Sequence, residues 1–498
     1  MFNWKEKITF KGDKILWYVI IMLMIISVML IYSSTGRLAY NKQDGNTSFY
    51  LMKQLGLIVG CFGVLFVMQT FSWRWLYRNT GLLLLIAAGL LVVAAFGGDN
   101  INGAGRWIKV PFIGITFQPS EFAKIAIVIY TARLLSDYQT ERWCDDEALK
   151  MFWMPAMVIG LIFLDNFSTS ALITVVCMVM FMVGRLRWKL LVKTSGILIG
   201  LLTLVIVLGI TVPQVQEFGR IGTIVGRLTA FVVKDDDKAK GGDGEKRDYH
   251  MQSEHACMAI AQGGLLGCGP GNSIQRNMLP HAYSDFIYAI IIEEYGLGGG
   301  IFVLLLYAVI LFRAGVIGRK SMKSGYLNPR GVPEVFPTLM VVGLGLSVVL
   351  QALFHMGVNV GALPVTGQTL PMVSLGGTSM WFTSATLGII LGVAYSFSAE
   401  GQAKQQRTED SKFAGKRNGR SYEPTEEVLD ELENGELAGG AASSFYPGRR
   451  RRRQQVPAEE EIDIIGENGL SDIEEQLESE EREALKELRR RGRRMGME

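Results

Sequence analysis

The sequence predicts an all-α integral membrane protein with ten transmembrane helices, a large extracytoplasmic loop between spans seven and eight, and a charged cytoplasmic tail. Three observations support this fold class. The 498 residues are 49% apolar and 19% charged, the mean hydropathy is +0.25, and the charges are concentrated at one end. A soluble protein carries about 25% charged residues. The composition therefore excludes an ordinary soluble enzyme, a disulfide-stapled secreted domain and a nucleic-acid-binding module.

Ten apolar runs approach or exceed the length needed to cross a bilayer, which is about 20 residues. The first run follows four lysines and lacks a small-residue cleavage site, so we interpret it as a retained span and not as a signal peptide. The fifth and sixth runs are short and meet at 166–168, which predicts a hairpin. The runs centre on about 15–34, 55–71, 80–97, 119–136, 152–166, 169–184, 190–211, 284–312, 336–358 and 379–397.

Basic residues set the predicted orientation of the spans. Lys and Arg cluster in the loops at 74–78, 185–189 and 313–330. With ten spans, these loops lie on the same side of the membrane as both termini. The positive charge identifies this side as the cytoplasm. Of the four outer segments, the fourth has no Lys or Arg. The second and third carry basic residues against the rule and adjoin polar stretches, so functional residues are expected there. The outer segments are 35–53, 98–118, 212–283 and 359–378.

The charged end of the chain forms a separate region. Residues 399–498 contain 18 Lys and Arg and 24 Asp and Glu, so 42 of 100 are charged, against 55 in the preceding 398. So few apolar residues cannot bury a core, which predicts a largely disordered tail with one helix near its end. The chain is therefore divided into a polytopic membrane domain, 1–398, which includes the extracytoplasmic loop 212–283, and a cytoplasmic tail, 399–498.

The first polar cluster lies around the start of the fourth span. Arg106 belongs to a Gly-rich segment, and Pro119 suits the first turn of the helix that follows. Glu121 and Lys124 are three residues apart and therefore share a face of that helix. Two interpretations are open: an ion pair that anchors the helix start, or an outward-facing anion site made by Arg106 and Lys124 and adjusted by Glu121.

The second polar cluster lies at the start of the eighth span. Asp285 falls at its outer mouth, and the adjacent acids Glu293 and Glu294 lie about 12 Å further in at 1.5 Å per residue. Asp285 is suited to be an N-cap, although Ser284 would cap equally well. A carboxylate at the water boundary is also well placed to act as a general base.

The third cluster is the outer segment 361–379, which precedes the last span. Pro364, Pro371 and four glycines argue against a continuous helix. Irregular backbone at membrane depth is tolerated only where it is buried in protein or lines a cavity. The segment is therefore expected to form part of a site wall, with a plain loop above the membrane as the alternative.

Histidine and cysteine do not identify a metal site. H-E-x-x-H is absent, and the spacings match no standard ligand set, so no metal ligand is assigned. Cys257 and Cys268 leave a disulfide open, since they share the outer loop but form no C-x-x-C pair. All four histidines fall on the outer side: His250, His255, His281 and His355.

Five motifs in one order resemble the SEDS family (shape, elongation, division and sporulation proteins), its FtsW-like members more closely than its RodA-like members. The resemblance covers nearly all of residues 10–398. The motifs are Gly103-Ala104-x-Arg106-Trp107-Ile108; Gln118-Pro119-Ser120-Glu121-x-x-Lys124; Leu279-Pro280 through Asp285-Phe286-Ile287; Glu293-Glu294-x-Gly296; and Leu363-Pro364-x-Thr366-Gly367-x-x-Leu370-Pro371 with Ser374-x-Gly376-Gly377.

The resemblance implies a peptidoglycan glycosyltransferase that polymerises lipid II at the outer face of the plasma (inner) membrane during cell division. It also implies a class B penicillin-binding transpeptidase and other division proteins as partners; the RodA-like role in elongation stays open. Asp285 matches the essential acidic residue of the family. The positions that match its cavity and outer loop, and so bind substrate, are Arg106, Glu121, Lys124, Arg227 and Gln252.

This sequence departs from the family pattern at several positions. Residues 165–169 replace the usual P-D-x-G-T, His255 replaces a common Gln, His355 a frequent Asn, and Leu375 a frequent Tyr. An acidic role at 165–169 is therefore not expected. None of these changes alters Asp285, so the implied activity is unaffected.

The implied reaction fits the chemistry of the polar clusters. Glycosyl transfer from a lipid pyrophosphate needs a base for the acceptor hydroxyl and cations at the departing phosphates. Asp285 supplies the first, and Arg106, Lys124 and Arg227 supply the second. An α-linked donor and a β-linked product imply a single inversion, so no second carboxylate is required. No cofactor is demanded by the residues, although a divalent cation would suit a pyrophosphate.

Two other classes of protein have the same general features. A flippase for lipid-linked precursors also has many spans and buried acids. It would place polar groups along the whole crossing path, whereas the unusual charges here are concentrated in the outer half. A scaffold that recruits division proteins through the tail would not need Asp285.

Overall fold

We describe a computed structural model of the chain. It covers residues 10–36, 38, 40, 47–97, 99–101, 104–109, 116–141, 145–194, 196, 200, 244–279, 281–323 and 335–398. The main helices are α1 (Lys14–Ser34), α2 (Thr47–Met68), α3 (Trp73–Gly97), α4 (Pro119–Glu141), α5 (Asp145–Asp165), α6 (Phe167–Val183), α7 (Gly244–Gly263), α8 (Ile287–Lys323), α9 (Phe336–Asn359) and α10 (Thr378–Ser396). Residues 188–194 are also helical.

The protein is a multi-pass, predominantly helical membrane protein, as the sequence predicts. Six of the described helices are long and apolar enough to cross a bilayer: α1, α2, α3, α8, α9 and α10. Two further apolar helical stretches, Trp153–Phe163 and Phe167–Val183, are shorter. The seventh predicted span, 190–211, lies largely outside the described residues, and the first part of the predicted loop 212–283, residues 212–243, and the tail 399–498 lie wholly outside them. Ten spans therefore stay a prediction.

The predicted hairpin between the fifth and sixth spans is present. Asn166 alone separates α5 from α6, and its side chain accepts a hydrogen bond from the Thr169 N–H as the N-cap of α6. The Ser170 hydroxyl donates across the turn to the Ile159 carbonyl at 3.2 Å. The residues that depart from the family pattern here therefore form a helix cap.

A small sheet in the second outer segment departs from the predicted all-α architecture. Three short antiparallel strands, β1 (Asp99–Ile101), β2 (Ala104–Lys109) and β3 (Thr116–Phe117), pair in the order β1-β2-β3. Trp107 and Ile108 in β2, with Thr116 and Phe117 in β3, are residue types that favour strands. The sheet joins α3 to α4 at the end of the bundle that carries the predicted site.

Two buried polar contacts join α1 to α8, one near each end of α1. Asp13, the N-cap of α1, pairs with Arg313, and the Ser33 hydroxyl donates to the Glu294 carboxylate. The pairing shows that the helices are antiparallel. The contacts are 20 residues apart on α1 and 19 on α8, which is about 30 Å at 1.5 Å per residue. This length is comparable to the thickness of a bilayer hydrocarbon core, about 30 Å.

The contact at Asp13 is electrostatic as well as structural. Burial acts to raise the pKa of this carboxyl, but hydrogen bonds from Arg313 and from the Leu16 N–H, with the charge of Arg313, hold the pKa below its ordinary value. A lowered native pKa stabilises the folded state above the ordinary pKa, and this contribution is lost as the pH falls through the lowered value. The pair is therefore intact at neutral pH.

Helix α8 is interrupted at Gly296, where φ is +71° and ψ is −176°. The carbonyls of Glu293 and Glu294 accept hydrogen bonds from the Cys268 and Gly269 N–H groups at 2.9 and 3.0 Å, and the Leu297 N–H donates to the Gly264 carbonyl at 2.9 Å. The helix thus opens to pair its backbone with the loop that follows α7. A Cβ atom at residue 296 would lie 2.2 Å from the Leu265 carbonyl oxygen.

Gly296→Ala should destabilise the protein, and Gly298→Ala in the same helix should not. The backbone conformation at residue 296 is available essentially to glycine alone, with a strain of about 1–3 kcal/mol for other residues. A Cβ at Gly298 meets no atom within 4 Å. Thermal unfolding of the two purified variants in detergent measures the difference. Equal unfolding midpoints for the two variants would contradict the interruption of α8 at Gly296.

Candidate functional site

Asp285 lies in a tight turn that leads into α8. The backbone N–H groups of Ser284 and Asp285 both donate to the His281 carbonyl at 3.0 Å, and His281 has a φ of +61°. The Ser284 hydroxyl donates to Asp285 Oδ1 at 2.9 Å. Asp285 is half-buried. The turn therefore holds an oriented carboxylate that solvent or a substrate can still reach.

An apolar cluster supports this turn. It combines residues from α7, from the turn, from the first part of α8 and from the outer segment, so these four parts are held together. Its members are Ala256, Ala259, Leu279, Ala282, Phe286, Ala289 and Ile290, with Ile260 and Val365 packed against them.

The irregular outer segment lies against Asp285, as predicted for a site wall. Gly367 has a φ of +67°, and a Cβ placed on it would be 3.6 Å from Asp285 Oδ2. The Leu375 N–H donates to the Tyr283 carbonyl at 3.1 Å, and the Ser374 hydroxyl donates to the Ser284 carbonyl at 2.7 Å. We call residues 363–375 the wall segment.

Asn359, which the sequence analysis missed, holds the backbone of Asp285. This fully buried residue at the end of α9 donates from Nδ2 to the Asp285 carbonyl at 3.0 Å and to the His355 carbonyl at 2.8 Å. Its Oδ1 accepts from the Ala289 N–H at 3.0 Å. One amide therefore fixes both sides of the junction where the turn becomes helix.

Glu121 and Lys124 reach the wall segment through Gln351. Lys124 Nζ lies 2.9 Å from Glu121 Oε2, with side-chain exposures of only 8% and 7%. The same ammonium donates to Gln351 Oε1 at 2.7 Å, and Gln351 Nε2 donates to the Thr369 carbonyl at 3.0 Å. The ion pair is thus connected by hydrogen bonds to the segment that contacts Asp285.

The wall segment has a second buried attachment, which includes His355, one of the positions at which the chain departs from the family pattern. His355 Nδ1 lies 2.8 Å from the Gln368 carbonyl, and Gln368 Nε2 donates to the Thr169 hydroxyl at 2.9 Å. The His355 contact holds the backbone of the wall segment, and the Gln368 contact joins the segment to α6.

The two acids in α8 stabilise the outer loop. The Glu293 carboxylate accepts hydrogen bonds from the Ile274 and Gln275 N–H groups at 2.8 and 3.1 Å and from the Ser273 hydroxyl, so it caps the 3-10 turn Gln275–Asn277. Both Glu293 and Glu294 are buried. They position the loop and are remote from solvent, unlike Asp285.

The remaining predicted site residues are placed only in part. Gln252 is half-buried on α7, three residues from His255, whose Nδ1 lies 3.0 Å from Gln275 Oε1. Arg106 lies in β2, but its side chain is outside the described residues, as is all of Arg227. Cys257 and Cys268 are free thiols. No group of three His, Cys, Asp or Glu that could hold a metal ion occurs in the part of the chain that the structure describes.

The arrangement is suited to proton abstraction at a surface. Asp285 is a half-buried carboxylate that accepts a hydrogen bond from the Ser284 hydroxyl, and the residue facing its Oδ2 is a glycine, which leaves room on that side. Burial raises the pKa of the neighbouring Tyr283 hydroxyl, and the charge of Asp285 acts in the same direction. Tyr283 therefore stays protonated and able to donate a hydrogen bond.

Proteins of similar sequence include several that are described as probable peptidoglycan glycosyltransferases. The probable peptidoglycan glycosyltransferase FtsW of Neisseria gonorrhoeae is 30% identical over 430 residues, covering 77% of this chain and 85% of the relative. The protein of the same description from Hydrogenovibrio crunogenus is 30% identical over 403 residues, covering 79% and 93%. Stage V sporulation protein E of Bacillus subtilis is 28% identical over 393 residues, covering 77% and 96%.

Solved structures share the fold. A chain from a peptidoglycan synthase complex matches with a TM-score of 0.55 and 22% identity, covering 78% of this chain and 99% of the other. Rod shape determining protein RodA of Thermus thermophilus matches with a TM-score of 0.52 and 22% identity, covering 77% and 97%. Residues 13–399 match the FtsW/RodA/SpoVE family, described as cell cycle proteins. The chain belongs to this family.

Proposed function

We propose that this protein is a peptidoglycan glycosyltransferase that polymerises lipid II into glycan strands during cell division. The observation that carries the proposal is the half-buried Asp285 carboxylate, held in a turn against Gly367 of the wall segment. Two relatives described as probable peptidoglycan glycosyltransferases each cover more than three quarters of the chain. Their shared activity supplies the reaction that such a carboxylate would serve.

The reaction uses Asp285 as the general base. Its carboxylate takes the proton of the acceptor sugar hydroxyl while that oxygen forms a bond to the anomeric carbon of the donor. The bond from that carbon to the pyrophosphate oxygen breaks, and the lipid pyrophosphate leaves with the electron pair. One displacement inverts the configuration, so no second nucleophilic carboxylate is needed.

Substrate binding is assigned to the outer cations and to α7. Arg106 and Arg227 contact the pyrophosphate, because a guanidinium presents a planar fork of donors to phosphate oxygens. Gln252, half-buried on α7, contacts the sugar or peptide part of lipid II. Of the two interpretations of Glu121 and Lys124, their burial favours the structural ion pair, which acts on the substrate by holding the wall segment.

The proposed orientation places this site at the extracytoplasmic face of the plasma membrane, with both termini and the tail in the cytoplasm. Basic residues near the ends of α6 and α8 support this orientation under the positive-inside rule. A class B penicillin-binding transpeptidase is the proposed partner, because strands made by this reaction must be cross-linked where they emerge.

Incubation of the purified full chain with lipid II, with and without its transpeptidase partner, tests the function. Glycan strands resolved by gel electrophoresis are the expected product. A protein that moves lipid II across vesicle membranes but forms no strands, even with its partner, would instead be a flippase. Inactivity in both assays would leave the scaffold interpretation.

Asn359→Ala should reduce polymerisation without changing the chemistry. Losing the amide frees the Asp285 carbonyl and the Ala289 N–H, and a catalytic group displaced by about 1 Å can lose roughly a hundredfold in rate. We expect kcat to fall roughly tenfold to a hundredfold with little change in KM. Leu353→Ala, an exposed position on the same helix, is the control. An unchanged kcat for Asn359→Ala would remove this residue from the support of Asp285.

A further inference from the structure

Two leucines at the tip of the loop after α7 are unusually exposed. Leu265 is 77% and Leu266 is 91% exposed, and they lie within the sequence Gly263-Gly264-Leu265-Leu266-Gly267. Exposed apolar residues at the end of a turn are common singly, but an adjacent pair presented by a fixed backbone indicates a binding surface. We call these two residues the leucine tip.

The backbone of the leucine tip is fixed to α8. The Gly264 carbonyl accepts from the Leu297 N–H, and the next two residues after Gly267 donate to α8 carbonyls. Cβ atoms on Gly263 and Gly267 would lie 2.0 and 2.3 Å from carbonyl oxygens of α8. Only glycine permits so close an approach of two backbones. The tip is therefore at a defined height along α8.

That height is the outer end of the α1–α8 pair. The Ser33–Glu294 contact lies at this end, about 30 Å from the Asp13–Arg313 contact at the other, a length comparable to the thickness of the hydrocarbon core. Gly296, against which the Leu265 carbonyl packs, is two residues from Glu294. The first part of α8 does not continue outward from this point, because the kink at Gly296 folds it back so that the Tyr288 hydroxyl donates to the Gly300 carbonyl at 3.2 Å. The leucine tip is thus at the outer end of the α1–α8 pair, where the chain turns at Gly296.

Neighbouring residues of α8 identify the lipid as the occupant. Leu297, Ile301 and Leu305 are exposed and spaced four residues apart, so they share one face of the helix. Within a membrane-spanning helix such a face contacts acyl chains. The leucine tip adjoins the outer end of this face, since the Leu297 N–H bonds to Gly264.

We propose that Leu265 and Leu266 insert into the outer leaflet at the boundary between headgroups and acyl chains. They anchor α7 and, through residues 268–279 and the apolar cluster, hold the Asp285 turn at a constant position relative to the outer leaflet. The anchor goes beyond the glycosyltransferase reaction and requires only that α1 and α8 span the membrane. Loss of polymerase activity and loss of insertion are therefore separate observations.

Depth measurement with a spin label tests the insertion. The full chain, with Cys144, Cys257 and Cys268 replaced by serine, carries a nitroxide at Leu266→Cys, Leu305→Cys or His281→Cys in vesicles of phosphatidylethanolamine and phosphatidylglycerol. Collision with oxygen and with a water-soluble nickel complex reports depth. The label at residue 266 should favour oxygen, as at 305 but less strongly, whereas the label at the exposed residue 281 should favour nickel.

Two results would overturn the proposal. A label at residue 266 that is as accessible to nickel as the label at 281 would place the tip in water. A label shielded from both reagents would place it against a protein, either a partner or a second copy of this chain. Both outcomes are distinct from the expected one and from each other.

Hydrogen exchange gives an independent measurement of anchoring. In the same vesicles, Leu265→Asn with Leu266→Asn should speed amide exchange across residues 264–279, because the loop loses its attachment to the bilayer. Met258→Asn, also exposed but on α7, should leave exchange there unchanged. Equal exchange in the doubly substituted and unsubstituted proteins would contradict the anchoring role.

Discussion

Asp285→Asn should slow glycan polymerisation by roughly 10²- to 10⁴-fold, the usual contribution of a general base. An amide cannot take the acceptor proton at neutral pH, but it keeps the size of the carboxylate. The Ser284 hydroxyl can still donate to the side-chain oxygen, and the Asn359 amide bonds the backbone carbonyl, which the substitution does not touch. Strand formation from lipid II at matched protein amounts is the measurement.

Ser284→Ala is the matched control for this substitution. It removes the hydrogen bond to Asp285 Oδ1 but leaves the carboxylate and the backbone contact of Ser374 with the Ser284 carbonyl. A clearly smaller loss of rate is expected. Asp285→Glu should also be poor, because one added methylene moves the carboxylate from its contact with Gly367. Wild-type activity in Asp285→Asn would exclude this residue as the base.

Lys124→Ala should destabilise the protein by about 3–5 kcal/mol, because it leaves the Glu121 carboxylate buried without its counter-charge. The pair has 7–8% side-chain exposure, so solvent screens it little. The substitution also removes the donor to Gln351. Unfolding of the purified variant by heat or denaturant measures the loss. Stability equal to wild type would mean that the ion pair is absent from the native protein.

A double variant separates the structural role of Lys124 from a catalytic one. Glu121→Gln with Lys124→Met removes both charges and keeps the volumes, a change that is often close to neutral for stability. If this stable variant polymerises lipid II normally, the pair only holds the wall segment. If it is stable but has a raised KM for lipid II, the Lys124 charge acts on the pyrophosphate, and the anion-site interpretation is correct.

Features that depend on neighbouring residues were predictable from sequence. Apolar runs give spans because burial in lipid depends on local hydropathy, and Pro364 and Pro371 predict an irregular segment because each prevents regular helix. The position of Asp285 just before α8 follows from the same pattern, but the prediction that Glu293 lies about 12 Å further in along a continuous helix was wrong, because α8 kinks at Gly296 and brings Tyr288 to the Gly300 carbonyl. The general outline of the wall was therefore accessible without a structure.

Features that depend on residues far apart in the sequence were not predictable. Gln351 meets Lys124 across 227 positions, and Asn359 meets Asp285 across 74. The sequence of an apolar helix does not show whether an amide side chain will bond to the backbone of another segment or to the backbone of its own helix. The β1–β3 sheet was missed because strands of two to six residues carry too short a pattern to outweigh an overall helical composition.

The spacing of the two α1–α8 contacts has a consequence for the membranes that suit this protein. Asp13–Arg313 and Ser33–Glu294 are both buried polar contacts. Sliding α1 along α8, which would lengthen the apolar surface that the two helices present to lipid, would therefore break a contact. The hydrophobic length of the α1–α8 pair is thus fixed by the sequence, and the two helices cannot change it by shifting relative to each other. In a thicker bilayer, hydrophobic mismatch must be relieved by tilting of the whole bundle or local thinning of the lipid, each at a modest cost per ångström. Bilayer thickness therefore becomes a physical variable that acts on the height of the Asp285 turn.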